Sequence, residues 1–115
     1  MATVSNVPWY VGQTYPSFDI VLNTDSGSDN LTGVVVTNFT MIFSSTATRP
    51  PTDTTGTGTF TIKSINPAEI LYKPSTTDVA SAFSGQLIVK AFFPPSNTSA
   101  DEAIWDPIPF QITAI

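Results

Sequence analysis

Residues 86–93 read QLIVKAFF, and this stretch decides the fold of the chain. Its apolar residues Leu87, Val89, Ala91 and Phe93 fall on alternate positions, which is the period of a β-strand with one buried face. The same period recurs before and after this stretch, and no segment has the spacing of an amphipathic helix. The sequence therefore predicts an all-β domain. The other alternating sets are Phe18, Ile20 and Leu22; Phe60 and Ile62; Ile70 and Tyr72; and Ile108, Phe110, Ile112 and Ala114.

The number of strands and the length of the chain indicate the architecture. Polar segments rich in turn-forming residues separate six or seven short strands, at spacings typical of sandwich folds. The 115 residues fit one domain, and a hydrophobic content of 41% is enough to fill a core without disulfides. We expect an antiparallel β-sandwich of about seven strands over residues 17–115, preceded by an N-terminal entry segment or arm over residues 1–16.

The stretch LTGVVVTNFTMIFSS at residues 31–45 changes its phase part of the way along. Val34 and Val36 have one parity, whereas Phe39 and the apolar residues after it have the other. A β-bulge near Thr37 and Asn38 restores both sets to the core, and we therefore predict one there.

The stretch PSTTDVASAFSG at residues 74–85 is the only segment that departs from the strand pattern in favour of a helical one. Its hydroxyl-rich start is typical of a helix cap, which predicts a single helical turn from Ser75 to Ala80. We expect Asp78 to cap or close this turn.

The distribution of charge argues against two classes of partner. The chain has a net charge of −5, and its four basic residues are scattered, so we expect no binding of nucleic acid. No apolar run reaches the ~18 residues needed to span a bilayer, and residues 1–12 lack the features of a signal peptide. Only 11% of the residues are charged, against roughly 25% in typical domains, which suits a protein inside an assembly or outside a cell.

The residue types present leave little catalytic chemistry. The chain has no His and no Cys, so the common hydrolase nucleophile–base pairs and zinc sites are excluded. Asp101 and Glu102 are adjacent carboxylates in a polar loop, where solvated charges are the expected outcome. Asp25 and Asp29 flank Gly27 in a segment that lacks the spacing of a calcium loop and favours a hairpin turn. We therefore predict no enzyme activity, no cofactor and no metal.

A series of turn and strand signals connects the chain to a known family. In order they are VGQTYPSFDIVLN, then DNLTGVVVTNFTMIF, GTGTFTI, AEILYKPSTTDVASAFSGQLIVKAFFP and PIPFQITAI. This order resembles the N-terminal domain of the tailed-phage baseplate upper-protein family. In the family this strand usually ends with an aromatic residue followed by Trp, whereas here it ends with Tyr72-Lys73. Family members also continue after this domain into a stalk or a receptor-binding part. The matching cues are Gly12, Leu31-Thr32-Gly33, Thr77-Asp78, Gly85 and the closing strand to Ile115.

The resemblance implies an immunoglobulin-like β-sandwich with a structural role in a virion, assembled in the host cytoplasm. Since this chain ends at Ile115, we expect a stand-alone domain, either an adaptor in the tail or baseplate or a decoration (cement) protein on the capsid. The implied partners are other virion proteins and further copies of the chain, with no nucleic acid, membrane or small-molecule substrate.

Aromatic residues near both termini are the candidate contact residues. Large aromatic side chains are enriched at the centres of protein interfaces, so Trp9, Tyr10, Tyr15 and Trp105 form the candidate interface. The alternative for Trp9 and Tyr15 is that they cover the open end of the sandwich. A second alternative for function is a carbohydrate-binding module, in which exposed Trp and Tyr side chains, including Tyr72, stack on sugars. Whether the two tryptophans lie at one end of the fold stays open.

Overall fold

The computed structural model describes residues 2–4, 9–24, 27–28, 30–46 and 52–114. This part of the chain consists of strands, turns and two short 3₁₀ turns, Val36–Asn38 and Ser99–Asp101. Among these residues no helix has the length and hydropathy to cross a membrane. The strands are β1 (Ala2–Val4), β2 (Trp9–Tyr10), β3 (Phe18–Thr24), β4 (Gly27–Ser28), β5 (Phe39–Ser45), β6 (Thr52–Thr55), β7 (Thr59–Ser64), β8 (Glu69–Lys73), β9 (Phe83–Phe92), β10 (Glu102–Ile104) and β11 (Ile108–Thr113).

The strands form two sheets that pack as a sandwich, which confirms the predicted all-β, immunoglobulin-like fold. The first sheet has the order β1-β3-β8-β7, with β4 paired to β3. The second has the order β2-β11-β9-β5-β6, with β10 paired to β9. All pairs are antiparallel except β2 with β11. Seven of the described strands have four or more residues, which matches the predicted number of about seven. The four additional described strands have only two or three residues each.

The core lies between the sheets and is filled by the alternate residues that the sequence pattern identified. Leu87, Val89 and Ala91 of β9 are buried, and their neighbours along the strand face outward. β9 is central because it pairs with β5 on one side and with β10 and β11 on the other. The buried aromatic residues are Trp9, Phe18, Phe39, Phe43, Tyr72, Trp105 and Phe110.

The predicted β-bulge near Thr37 and Asn38 is wrong. The chain forms a 3₁₀ turn over Val36–Asn38, and β5 begins only at Phe39. Val34 is buried before the turn and Val36 is exposed on it. The parity of the apolar residues changes because the chain turns between two segments, and no strand runs through this region.

The predicted helical turn from Ser75 to Ala80 is a hydrogen-bonded turn without a helix. Ser75 N donates to Asp78 Oδ2 at 3.1 Å, and Asp78 N donates to Ser75 Oγ at 3.1 Å, which are the reciprocal bonds of a capping box. Ala80 N then donates to Thr77 O at 3.3 Å. Asp78 therefore closes the turn as predicted, and the chain proceeds to β9 before a second turn can form.

The N-terminal segment, predicted as an arm over residues 1–16, contributes strands to both sheets. β1 pairs with β3, placing Ala2 opposite Leu22, and β2 pairs with β11, placing Trp9 opposite Ile112. Residues 2–4 and 9–10 are therefore paired strands of the sandwich itself, and the boundary at residue 16 does not separate two structural units.

Candidate interaction surface

One end of the sandwich, which we call the tyrosine end, consists of residues 9–16 and 74–82. Gly12 N donates to Val79 O at 2.8 Å and joins the two segments. Gln13 N donates to Tyr10 O at 3.0 Å, so Tyr10 to Gln13 form a tight turn. Gly12 has φ +84° in this turn, a conformation that glycine adopts without strain.

Trp9 is the buried base of the tyrosine end. Its side chain is fully buried, and its ring packs edge-to-face on Phe18 with 4.5 Å between centroids. The indole Nε1 donates to Gln13 O at 2.6 Å, so burial leaves this donor satisfied. The sequence left two alternatives for Trp9: an interface residue, or a residue that covers the open end of the sandwich. The structure supports the second, because none of the Trp9 surface is available to a partner.

Tyr10 and Tyr15 are the exposed aromatic residues of the tyrosine end. Their exposed fractions are 42% and 81%. The Gln13 side chain lies between them: its Oε1 accepts from Tyr10 N at 3.1 Å, and its Nε2 donates to Tyr15 O at 3.2 Å. The backbone that carries both rings is therefore held in place, while both rings face solvent.

The opposite end consists of residues 30–38, 65–68 and 93–105. Leu31 N donates to Ile65 O at 2.9 Å, and Asn38 Nδ2 donates to Asn97 Oδ1 at 3.2 Å, which joins the three segments. An open groove of about 610 Å³ lies along residues 100–105. Asp101, on this groove, accepts from Ser96 N at 3.3 Å, so its carboxylate organises the loop.

Trp105 is also a core residue, and it lies far from Trp9. It is 5% exposed; its ring stacks with Phe39 and is tilted against Phe93, with centroids 6.5 Å and 6.2 Å away. Trp105 N donates to Val89 O on β9. Trp9 lies opposite Ile112 of β11, and Ile112 in turn lies opposite Phe83 of β9. Val89 and Phe83 are six residues apart along this extended strand, a distance of roughly 20 Å. The two tryptophans therefore lie toward opposite ends, which answers the question that the sequence left open.

A polar cluster beneath the tyrosine end was not predicted as a unit. The Tyr72 hydroxyl donates to Asp78 Oδ2 at 2.5 Å and accepts from Gly58 N at 2.8 Å. Asp78 also accepts from Thr57 N at 3.0 Å and from Ser75 N at 3.1 Å. The carboxylate thus ties the turn after β8 to the loop before β7.

The chemistry of this cluster is structural. Burial, and next the hydrogen bond to Asp78, raise the pKa of Tyr72 well above its usual range, so its hydroxyl stays protonated. A protonated phenol with both hydrogen bonds made is neither a base nor a nucleophile. In the described ranges no three acidic, His or Cys side chains lie close enough to hold a metal ion.

The sequence contains one signal for this cluster, the pair of glycines in GTG at residues 56–58. A Cβ atom on Gly56 or on Gly58 would collide with Tyr72 or with the backbone beside it. Glycine is required there because the Tyr72 hydroxyl needs close approach to the loop. Tyr72 was a candidate for sugar stacking, but its ring is fully buried.

Asp25 and Asp29, which the sequence analysis considered as calcium ligands and set aside, lie outside the described residues. The strands beside them are described: Asn23 pairs with Ser28 and Thr24 with Gly27. This pairing is the hairpin that the sequence favoured over a calcium loop.

Comparisons with known proteins do not extend these observations. The chain was compared with protein-family models, with curated proteins and with solved structures, and none of the three comparisons finds a match.

Proposed function

We propose that this protein is a non-enzymatic structural domain that docks on another protein of a larger assembly through Tyr10 and Tyr15. The resemblance described above implies that this assembly is a tailed-phage virion, with the chain as a tail or baseplate adaptor or as a capsid decoration protein. The observation that carries the proposal is the tyrosine end, where two exposed rings stand on a hydrogen-bonded turn over a buried tryptophan.

The rigidity of the tyrosine end supports docking. Tyrosine provides a large contact area with only two side-chain torsions to order, and a backbone already held in place lowers the entropic cost of binding. Gln13 bonds to the backbone on both sides, and Gly12 anchors the turn to Val79.

The composition of the tyrosine end also fits the centre of an interface. Residues 9–16 have no charged side chain, and residues 74–82 have only Asp78, whose carboxylate is already bonded to three groups of the cluster. Depletion of charge together with enrichment of tyrosine is the compositional signal of an interface core.

Carbohydrate binding is the second candidate, and one observation favours it: Tyr10 and Tyr15 are exposed on the same end. Stacking of sugars needs accessible ring faces, however, and three of the five aromatic residues considered for it are buried. The buried ones are Trp9, Tyr72 and Trp105. Two tyrosines without an exposed tryptophan beside them form a small platform, so docking on a protein is the function that we propose.

The experiment that tests the proposal is incorporation into particles. Phage particles are purified by density gradient from the source culture and analysed by mass spectrometry, which should detect the chain in a fixed ratio to the major virion proteins. A Tyr10→Ser/Tyr15→Ser variant should fold but be lost from the particles. The matched control is Ile65→Ser, which removes an exposed apolar side chain at the opposite end and should be retained.

Two results would contradict the proposal. One is a chain found in the soluble fraction and absent from the particles. The other is a double tyrosine variant that enters particles as well as the wild type does. Chemical-shift changes confined to Tyr10 and Tyr15 on titration with neutral oligosaccharides would support the carbohydrate candidate instead.

A further inference from the structure

The strand β10 has a partner on one side only. It pairs with β9 and with no other described strand, so in this part of the chain it is an edge of the second sheet. β11 lies further along the same side of β9, and β2 covers β11 at Ile112 and Thr113 without pairing with β10. An edge strand presents unpaired main-chain groups to which another extended chain can bond.

The register shows which main-chain groups of β10 are unpaired. Trp105 N donates to Val89 O at 3.1 Å, and bonded residues alternate along an antiparallel pair. Ala103 therefore bonds to β9 as well. The N–H and C=O groups of Glu102 and Ile104 point the other way, toward the free edge.

The open groove of about 610 Å³ runs along this free edge. Its lining includes all three residues of β10 and none of β9, and Asn30 and Pro94 form other parts of its wall. The unpaired groups of Glu102 and Ile104 thus face a space that a further extended chain can occupy. A peptide that adds a strand to such an edge gains main-chain hydrogen bonds and places alternate side chains on the two faces.

The charged side chains beside the free edge are acidic. Asp101 and Glu102 line the groove, and Asp106 follows two residues after β10 and is exposed. Lys90 lies on β9, on the paired side of β10, and does not line the groove. Within the described ranges the ion pairs are those of Lys63, so no ion pair neutralises these three carboxylates. The free edge therefore attracts a positively charged segment.

We propose that β10 is a docking strand for an extended, basic segment of another protein. The main chain of this segment bonds to the N–H and C=O groups of Glu102 and Ile104. Its residue opposite Ile104 is apolar, and the residues two positions before and after it are basic, because they lie opposite Glu102 and Asp106. A second copy of β10 does not fit, since edge-to-edge pairing would bring like charges together.

The length of the strand sets the strength of this contact. The five residues 102–106 span roughly 17 Å, and a segment of that length buries less than the roughly 1,200 Å² of a standard interface. The contact is therefore weak on its own and exchanges fast, which suits measurement by NMR titration.

An NMR titration of the full chain tests this inference. The probe is the capped peptide acetyl-Lys-Val-Ile-Val-Lys-amide, whose pattern is the same in either strand direction. At about 1 mM it should shift the amide signals of Glu102 and Ile104 and slow their exchange with solvent. The amide of Ala103, which is already bonded to β9, should change far less. The control peptide has Glu in place of both Lys residues and should cause no shift.

A proline substitution tests the main-chain bonds. Ile104→Pro removes the N–H that faces the groove and keeps the bonds to β9, so it should weaken peptide binding about tenfold. Thr55→Pro in β6 is the matched control. Gly56 N donates to Met41 O of β5, so by the same alternation the N–H of Thr55 also points away from its paired strand. Thr55 does not line this groove, and its substitution should leave binding unchanged.

Neutral variants of the same shape test the charges separately. Glu102→Gln/Asp106→Asn should weaken binding of the lysine peptide about tenfold, because both lysines lose their partners. Asp53→Asn, which removes a carboxylate from β6, is the matched control and should have no effect. Thermal unfolding followed by circular dichroism checks that each variant is folded, and the charge variant keeps the test decisive if Ile104→Pro is not.

Three results would overturn the inference. They are no shift of Glu102 and Ile104 at about 1 mM peptide, equal shifts with the glutamate peptide, and unchanged binding in folded Ile104→Pro. Tyr10→Ser/Tyr15→Ser should bind the peptide as the wild type does, because β10 is at the opposite end. Failure here and failure of docking through the tyrosine end are therefore distinguishable.

Discussion

Each end of the sandwich has one tryptophan in the core, but the two ends treat the neighbouring aromatic residues differently. At the opposite end, Phe39 and Phe93 pack around Trp105. At the tyrosine end, Trp9 packs on Phe18, while Tyr10 and Tyr15 remain at the surface. Tyr15 is 81% exposed, so it contributes little to covering the core. A buried tryptophan thus closes each end, and only the tyrosine end has exposed aromatic side chains left for a partner.

The largest expected effect comes from removing the buried tryptophans. Trp9→Ala should reduce the free energy of unfolding by about 4 kcal/mol, because it leaves a cavity and removes the indole donor to Gln13 O. Trp105→Ala should cost about 3 kcal/mol, since it also leaves a cavity. Urea denaturation at pH 7 measures both. A loss below about 1 kcal/mol for Trp9→Ala would show that Trp9 is not a core residue.

The second-largest expected effect comes from removing the Tyr72 hydroxyl, which belongs to the polar cluster beneath the tyrosine end. Tyr72→Phe leaves Gly58 N without its acceptor and removes one of the hydrogen bonds to Asp78 Oδ2, so it should cost about 2 kcal/mol. Tyr10→Phe removes an exposed hydroxyl and is the matched control, with an expected change below about 0.5 kcal/mol. Equal effects of the two substitutions in urea denaturation would contradict a structural role for the cluster.

The same cluster predicts a dependence of stability on alkaline pH. The pKa of Tyr72 is raised in the folded protein above its ordinary value of 10.0, so the folded state holds this proton more tightly than the unfolded state does. Its contribution is fully present below about pH 10 and is lost as the pH rises above that value. We expect the free energy of unfolding to fall above about pH 10 in the wild type, and to fall less steeply in Tyr72→Phe. Identical slopes would contradict the raised pKa.

A smaller effect concerns the turn that carries the tyrosines. Gly12→Ala forces a side chain into φ +84°, and no atom lies within 4 Å of the added Cβ, so the cost is backbone strain of about 1 kcal/mol. Gly33→Ala, at φ +81° in the opposite end, is the comparison variant; there the added Cβ also meets Pro94 Cγ at 3.0 Å. Both should lose stability, but only Gly12→Ala should also reduce incorporation into particles. Reduced incorporation of both would remove the distinction between the ends.

Sequence reasoning identified the main strands because alternation is a local property. The pattern of Leu87, Val89 and Ala91 specifies which face of β9 is buried whatever the partner strands are. Alternation of apolar residues could not distinguish a β-bulge from a 3₁₀ turn before Phe39, because both change the parity of the residues that follow.

The candidate site was predictable only in part, because burial of an aromatic residue depends on contacts distant in sequence. Trp9 and Tyr10 are adjacent, yet pairing with Ile112 buries one ring and leaves the other exposed. The bond of Asp78 to Thr57 likewise joins residues that only the pairing of β7 with β8 brings together.

Site-specific photo-crosslinking within purified particles is the measurement that tests most directly whether the tyrosine end docks on a partner. A photoreactive phenylalanine analogue is incorporated at Tyr15 and, as a control, at Ile65, which is exposed at the opposite end. We predict that irradiation links position 15 to one different virion protein, identified by mass spectrometry, and that position 65 does not form this product. Particles that contain the chain but show no crosslink from position 15 to another protein would contradict the assignment of the tyrosine end as the docking surface.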